Sequence, residues 1–473
     1  MYILKKYFFP ASFTLKWWMK LAASFIPSAI IMIIRPLTLD FHQSSVMAGI
    51  ALAIIWWSSA IVKKIPASLF LLLCFSLFSH VPVQIIFAFP LGETFLMLIV
   101  TYLFSQAISN SGLVEKFIRP VLVRYADSPF KCLLAVILSF FITMYLIPQP
   151  MARLIIVAVM FDNFLQSTDV PERTRSVLLY SVFVFYAIVN MTSKDADMIM
   201  NYVACDFSGV EITNLDWIRA MCIPTFFYGL SILALFCFLF RKDLLQIQLK
   251  LSNEVKNERE KFSAKESASI AVIAGTVVLW MTSSIWGDGI KLFGYVGVNT
   301  LITIIATIIL FFIGTLKIRD LKAVDVTTLI FLSGAFAIGG VMKACGAADT
   351  VFGLFQNIFS GGFTISYLLK MIFAGMILHM ILGSNTTTLS VIVPGLCMIT
   401  AGAVSPQLVV YIAIISVAFH AILPFHSVSI MVGASNNYFP NSYVAKLGIP
   451  VTPIVYLSAF CFYLPYWMLM GYL

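Results

Sequence analysis

Hydrophobic positions form long runs along the chain, separated by short polar segments. A run of about 20 apolar residues is long enough for a helix to cross a membrane. The pattern predicts such spans at 17–35, 44–62, 65–88, 93–111, 219–240, 267–287, 292–313, 324–343 and 450–472. Three more apolar segments, 131–165, 176–205 and 363–435, are too long or too interrupted for one straight helix. We therefore predict an all-α polytopic membrane protein with broken helices in these segments.

Composition and charge support this interpretation. The 473-residue chain is 61% hydrophobic and 11% charged, whereas roughly a quarter of a soluble domain is charged. Its net charge of +9 comes from Lys and Arg between the spans, which is typical of cytoplasmic loops. We expect a multi-pass protein of the cell (inner or plasma) membrane with a cytoplasmic N-terminus, and no nucleic-acid partner. The loop charges alternate sides only if 131–165 enters and leaves on one side, which predicts a re-entrant hairpin.

The two interrupted regions resemble copies of one another. Residues 101–117 and 332–352 are each an apolar helix that ends in a Gly turn, followed by an amphipathic stretch. The turns lie 234 residues apart, and the later breaks at Pro148 and Asn385 lie 237 apart. With an odd number of crossings between them, such copies form an inverted repeat, which is typical of secondary transporters. Chance similarity among apolar helices is the alternative.

The most polar interruption is "LGSNTTTLSVIVPG", residues 382–395. Gly383 permits a turn, and Ser384 or Thr386 can cap the helix that restarts. A helix N-terminus offers free N–H groups and a positive dipole end to an anion. Asn385 adds neutral donors, and the oxygens of the tip are candidate Na⁺ ligands. A plain helix whose Thr hydroxyls bond to its own carbonyls is the alternative.

This tip resembles that of the divalent anion:sodium symporter family of di- and tricarboxylate carriers, whose hairpins carry Ser-Asn-Thr. "AILPFHSVSIMVGASNNYF" (421–439) is similar to the family's second broken helix, with Ser427 where Thr is usual. "VDVTTLIFLSGAFAIGGVMKACG" resembles the helix before the second hairpin. The resemblance implies about 11 transmembrane helices plus two re-entrant hairpins. It also implies a scaffold domain, a transport domain that moves as an elevator, and a homodimer.

Combined with the hydrophobic pattern, the resemblance predicts a division of the chain. The segments are N-terminal scaffold helices (1–92), repeat 1 (93–240) with hairpin 131–165 and broken helix 176–205, a cytoplasmic linker (241–266), scaffold helices (267–323), and repeat 2 (324–473) with hairpin 363–400 and broken helix 406–436.

The first half departs from the family pattern at its hairpin tip, "YLIPQPMARLIIVAV". Pro148 still breaks the helix, and Gln149 can hydrogen-bond a carboxylate, but Ser-Asn-Thr is missing. Arg153 lies one turn into the next helix, and Lys194 interrupts the first broken helix. An ionisable residue inside a membrane is a candidate for function, so we expect Arg153 or Lys194 to replace a bound Na⁺. The alternatives are that Arg153 snorkels to the interface, and that Lys194 and the neighbouring aspartates neutralise each other or lie at the outer mouth.

Two histidines flank Pro424 in the second broken helix. A neutral His can donate to a carboxylate, and we expect this role for His426 as readily as a structural one. We expect His420 to be a core residue bonded to a backbone carbonyl.

Together with these patterns, the family resemblance implies a secondary transporter of C4–C5 dicarboxylates (malate, succinate, fumarate, 2-oxoglutarate), and the missing Ser-Asn-Thr in the first half leads us to expect that it works by anion exchange. A Na⁺-coupled di-/tricarboxylate symporter is the alternative, and a Na⁺/H⁺ antiporter using Asp162 or Asp195 is a more remote one. The sequence has no paired His/Asp or metal spacing typical of a membrane enzyme. We expect no cofactor other than Na⁺, near Ser384, Asn385 and Ser427. The candidate substrate-binding residues are Ser384, Asn385, Thr386, Thr387, Gln149, Pro148, Pro424, Ser427 and His426, with Arg153 and Lys194 as charge-compensating residues.

Overall fold

A computed structural model gives the fold of the protein. It describes residues 14–36, 39–59, 61–112, 127–147, 149–244, 263–286, 291–292, 296–353, 358–359, 362–423 and 426–473. Several predicted features lie outside these ranges: Pro148, Pro424, most of the predicted linker and the amphipathic stretch after Gly112.

The described chain is built almost entirely of helices, which confirms the all-α polytopic membrane fold. The first half contains α1 (Leu15–Ile34), α2 (Phe41–Ser59), α3 (Lys64–Phe78), α4 (Val83–Ile86), α5 (Glu93–Asn110), α6 (Pro129–Leu146), α7 (Pro150–Gln166), α8 (Glu172–Val189), α9 (Met200–Ser208), α10 (Asn214–Leu239) and α11 (Arg241–Leu244). The second half contains α12 (Ala264–Trp286), α13 (Val298–Phe312), α14 (Val326–Ala344), α15 (Ala347–Gly353), α16 (Ile365–Leu382), α17 (Asn385–Ile399), α18 (Pro406–Val417), α19 (Val428–Ser435) and α20 (Asn441–Leu469). Strands β1 (Lys291–Leu292) and β2 (Val296–Gly297) form one short antiparallel pair.

Among the described residues, six helices are both long and apolar enough to cross a membrane: α1, α6, α10, α14, α16 and α20. Shorter apolar helices lie within α2, α3, α13, α17 and α18. The predicted count of about 11 transmembrane helices stays a prediction.

One predicted span is wrong. The run 65–88 is interrupted, because α3 ends at Phe78 and only the short α4 follows. His80 has a left-handed backbone (φ 56°), and Pro82 precedes α4. Hydropathy alone does not detect this break, since the residues around it are apolar.

The chain divides into two compact units, each assembled from separate segments. The first unit comprises Met1–Phe95, Val203–Glu211 and Asp325–Val417, and the second comprises Leu96–Tyr202, Ile212–Val324 and Ala418–Leu473. The scaffold and transport domains predicted from the sequence have different boundaries and stay a prediction.

In the first unit, α14 packs closely on α3. Gly334 on α14 permits this approach, because a Cβ there would lie 3.2 Å from the Cβ of Ser68. The Ser68 hydroxyl also accepts a hydrogen bond from the indole of Trp57 (3.2 Å). Helices α16 and α17 pack on each other and on α18, so the second predicted hairpin belongs to this unit.

In the second unit, α6 and α7 pack on α8, so the segment of the first predicted hairpin belongs here. Helices α10 and α20 pack on each other and each contains a π turn, Ile218–Cys222 and Ala459–Tyr463. A π turn leaves helix carbonyls open to other donors. The indole of Trp467 donates to the carbonyl of Ala220 (2.9 Å), which fixes α20 against α10.

Candidate functional site

The tip between α16 and α17 lies at the Ser-Asn-Thr sequence, in the first unit. Helix α16 ends at Leu382, and Gly383 adopts a left-handed conformation (φ 61°). Ser384 is then the N-cap of α17, and its hydroxyl accepts from the backbone N–H (3.5 Å) and the hydroxyl (3.0 Å) of Thr387. Gly383, Ser384, Asn385 and Thr386 are half-buried, whereas Thr387 is buried. The tip thus exposes the start of a 15-residue helix.

A histidine that the sequence analysis did not single out supports this tip. His379, in the last turn of α16, is fully buried, and its Nε2 lies 2.8 Å from Oδ1 of Asn385. Its backbone carbonyl accepts from the N–H of Gly383 (2.8 Å). The signal was available in the sequence, because an ionisable residue inside an apolar span is a candidate for function.

The tip between α6 and α7, in the second unit, is built differently. Helix α7 starts at Pro150, and the side-chain oxygen of Gln149 accepts from the N–H of Ala152 and caps the helix. The backbone N–H of Gln149 donates to the hydroxyl of Ser105 (2.9 Å). The carbonyl end of the Gln149 amide is therefore occupied by the cap, and Gln149 is mostly buried.

Arg153 belongs to this second unit, and its side chain is completely buried. Its guanidinium donates to four oxygens, one of them an amide oxygen and three of them backbone carbonyls: Met144 O (3.2 Å), Ile147 O (3.0 Å), Asn190 Oδ1 (2.6 Å) and Ala196 O. Its Nε has no hydrogen-bond acceptor among the described residues. Arg153 therefore does not snorkel to the interface, and this alternative is wrong.

A buried polar network extends from Arg153 into the first broken helix. Asn190 accepts from Arg153 through Oδ1 and donates through Nδ2 to Asp197 (3.2 Å). The Asp197 carboxylate also accepts the backbone N–H groups of Ile199 (3.1 Å) and Met200 (2.8 Å). Asn190 thus bridges a buried cation and a buried carboxylate, and neither Asn190 nor Asp197 was assigned a site role from the sequence.

Lys194 points into a different environment. Its Nζ donates to the carbonyl of Ile212 (2.7 Å) and lies 4.3 Å from the ring centroid of Tyr202. The Tyr202 hydroxyl donates to Asp195 (2.6 Å). These contacts fasten the break of the first broken helix to the segment before α10. Of the two predicted charge-compensating residues, only Arg153 is surrounded by carbonyl oxygens.

The second broken helix, between α18 and α19, contains the remaining candidates. His426 is buried, and its Nδ1 accepts the backbone N–H groups of Ile422 (3.3 Å) and Leu423 (3.4 Å). The Ser427 hydroxyl lies 2.8 Å from that of Ser429. His420 contacts the hydroxyl of Thr452 at 3.0 Å, and its predicted bond to a backbone carbonyl stays a prediction. These residues belong to the second unit, as do Gln149, Arg153 and Lys194, whereas Ser384–Thr387 belong to the first.

The carboxylates that a Na⁺/H⁺ antiporter would need both have side-chain partners. Asp162 forms an ion pair with Arg175, whose Nε lies 3.0 Å away, and also accepts from Gln166 (2.9 Å). Asp195 is bonded to Tyr202.

Comparison with known proteins identifies the family. Residues 50–416 match the sequence profile of a family described as citrate transporter. The chain belongs to the citrate transporter family. This membership confirms the predicted relationship to di- and tricarboxylate carriers. The protein is a secondary carboxylate transporter in a membrane, and the family is not one of enzymes.

The fold also has a counterpart among solved structures. The YdaH transporter of Alcanivorax borkumensis, whose crystal structure has an unusual topology, superimposes with a TM-score of 0.52 at 12% identity. The match covers 97% of this chain and 98% of that chain. At this identity the likeness shows the fold alone. No curated protein matches the chain.

Proposed function

We propose that this citrate transporter family member exchanges C4–C5 dicarboxylates (malate, succinate, fumarate, 2-oxoglutarate) across the cytoplasmic membrane by an elevator mechanism. The observation that carries the proposal is the set of four oxygens around the guanidinium of Arg153. Carbonyls at the ends of broken helices are the groups that bind Na⁺ in many secondary transporters. Arg153 thus supplies a covalently attached cation to a set of ligands suited to Na⁺.

A tethered cation changes the energetics of coupling. Moving one charge against a membrane potential of 100 mV costs about 2.3 kcal/mol, so net uptake of a dianion costs about 4.6 kcal/mol. Each bound Na⁺ would offset half of this cost and would leave with the substrate, whereas Arg153 cannot leave. Exchange of one dianion for another moves no net charge, and the potential then opposes neither direction. Exchange is therefore the transport mode that suits Arg153.

The tip of α17 is the proposed carboxylate site. Ser384 caps a helix start that is half-buried, and such a start binds anions through free N–H groups and the helix dipole. Asn385 and Thr386 flank these N–H groups. We also propose that Gln149 and His426, which belong to the second unit, contribute to carboxylate binding. We also propose a homodimer with cytoplasmic N-termini.

Na⁺-coupled symport is the second candidate, and one observation favours it. The tip of α17 keeps several oxygens close together, since the Thr388 hydroxyl donates to the carbonyl of Ser384 (2.8 Å) and the Thr387 hydroxyl to its side chain. Such a cluster of hydroxyls and carbonyls is a candidate Na⁺ site that is independent of Arg153.

Counterflow in proteoliposomes distinguishes anion exchange from Na⁺-coupled symport. Vesicles are loaded with malate, succinate, citrate or buffer alone, and uptake of labelled malate is measured in Na⁺ and in choline. We expect uptake that needs an internal carboxylate and is the same in both salts. Uptake that is strictly Na⁺-dependent and needs no internal substrate would establish symport instead. Protein-free vesicles are the control, and a pH-sensitive dye in the same vesicles tests for Na⁺/H⁺ exchange, which we expect to be absent.

A further inference from the structure

An open cavity of about 430 Å³ lies in the second unit, where the first turn of α8 meets the segment that joins α19 to α20. Its volume falls within the range of roughly 300–1,000 Å³ that is typical of ligand sites. Glu172 and Arg173 line it from α8, and Asn437, Phe439 and Tyr443 line it from the segment before and within α20. The cavity therefore presents a carboxylate, a guanidinium and aromatic surface to one ligand.

The two charged residues of this cavity do not neutralise each other. Arg173 forms an ion pair with Asp243, whose Oδ1 lies 2.7 Å from its Nε, and its side chain is still 68% exposed. Arg173 also contacts Tyr443, but a guanidinium has five N–H donors, so donors remain for a ligand. Glu172 has no ion-pair partner among the described residues. A ligand with a negative and a positive group a few bonds apart matches this pair, whereas Glu172 and Asp243 repel a ligand that is only anionic.

The cavity lies next to the start of an apolar face of α20. This helix is long and apolar enough to cross a membrane, and Ile449, Leu457 and Phe460 are exposed on one face of it. Lys446 is exposed about one turn before Ile449, and Tyr443, about one turn earlier again, lines the cavity. Lys and Tyr at the end of an apolar helix face are typical of the headgroup level of a membrane. The cavity therefore opens where phospholipid headgroups lie.

We propose that this cavity binds the phosphoethanolamine headgroup of a membrane phospholipid, with its phosphate on Arg173 and its ammonium on Glu172. A guanidinium matches the geometry of a phosphate, and a primary ammonium has three N–H donors for the carboxylate, which a choline headgroup lacks. The acyl chains then extend along the exposed face of α20. The bound headgroup connects α8 to the segment before α20, and this role is independent of the proposed exchange of dicarboxylates.

The test is competition between phospholipids with identical acyl chains, measured by native mass spectrometry of the delipidated full-length protein in detergent. Ethanolamine and choline lipids are added at equal concentrations, and the ratio of the two lipid-bound forms is recorded. We expect wild type to prefer the ethanolamine lipid about fivefold, the upper limit for one exposed ion pair. E172Q should reduce this ratio to about one, because it removes the partner of the ammonium. R173Q should weaken the binding of both lipids, because both carry the phosphate.

The matched controls are D127N and K131Q, because Asp127 and Lys131 form an exposed ion pair in the same unit, and both variants should keep the wild-type ratio. Equal binding of ethanolamine and choline lipids by wild type, or an unchanged ratio in E172Q, would overturn the proposal. Free phosphoethanolamine that displaces the lipid at an equal concentration would overturn the assignment to a lipid and make the ligand a soluble phosphate compound. If R173Q fails to fold because Asp243 loses its partner, E172Q alone decides the question.

Discussion

Replacing Arg153 by alanine tests whether its guanidinium holds together the tip of the first hairpin segment. The change removes the donor from four buried oxygens, which belong to Met144, Ile147, Asn190 and Ala196. Each buried acceptor that loses its partner costs roughly 1–3 kcal/mol, so four cost about 4 kcal/mol even at the lower limit.

The assay is thermal unfolding of the purified protein in detergent, with R175A as the matched control. Arg175 lies in the same unit but is partly exposed and pairs with Asp162, and partly exposed ion pairs contribute little, about 0–1 kcal/mol. We expect the melting temperature of R153A to lie well below those of wild type and R175A. The melting temperature of R153K should lie between those of R153A and wild type. Added Na⁺ or guanidinium should raise the melting temperature of R153A more than choline does, because each can enter the set of oxygens. If R153A has the same melting temperature as R175A, the guanidinium of Arg153 does not hold the tip together.

Three more substitutions, the first with a matched control, test the breaks and the tip. Gly448→Ala should abolish folding or transport, because the added Cβ would lie 2.0 Å from the carbonyl oxygen of Ala421. Gly275→Ala is the control and should leave expression and melting unchanged, because among the described residues no atom outside its own helix lies within 4 Å of the added Cβ. Gly383→Ala should lower stability by about 1 kcal/mol in denaturant or thermal unfolding, since φ is 61° and left-handed backbone disfavours a Cβ; an equally stable variant would contradict this. Asn385→Ala should weaken substrate binding by about 1–3 kcal/mol, seen as a higher KM, and normal transport would exclude it from the site.

Much of the architecture could be predicted from local sequence. The break at Gly383 and the N-cap at Ser384 follow from residues within one helical turn, and so does the start of α7 at Pro150. The missed interruption of the span 65–88 has a different origin. His80 adopts a left-handed backbone, which is uncommon for a residue other than glycine. Pro82 was therefore the one local indication that the helix ends in this region.

The sequence by itself determined the class of the protein. Long apolar runs require helices in a membrane, because lipid cannot satisfy backbone hydrogen bonds, and the Ser-Asn-Thr tip placed the chain near carboxylate carriers. The choice between Arg153 and Lys194 needed the tertiary structure. Arg153 bonds to Asn190 and Ala196, 37 and 43 residues away, and no local pattern shows that these acceptors converge on it.

The same limit applies to His379. Its residue type marked it as unusual in an apolar span, but its contact with Asn385 depends on the chain reversing at Gly383. The sequence therefore shows which side chains can take part in polar chemistry. The partner of each buried polar group is determined only when distant or reversed segments pack together.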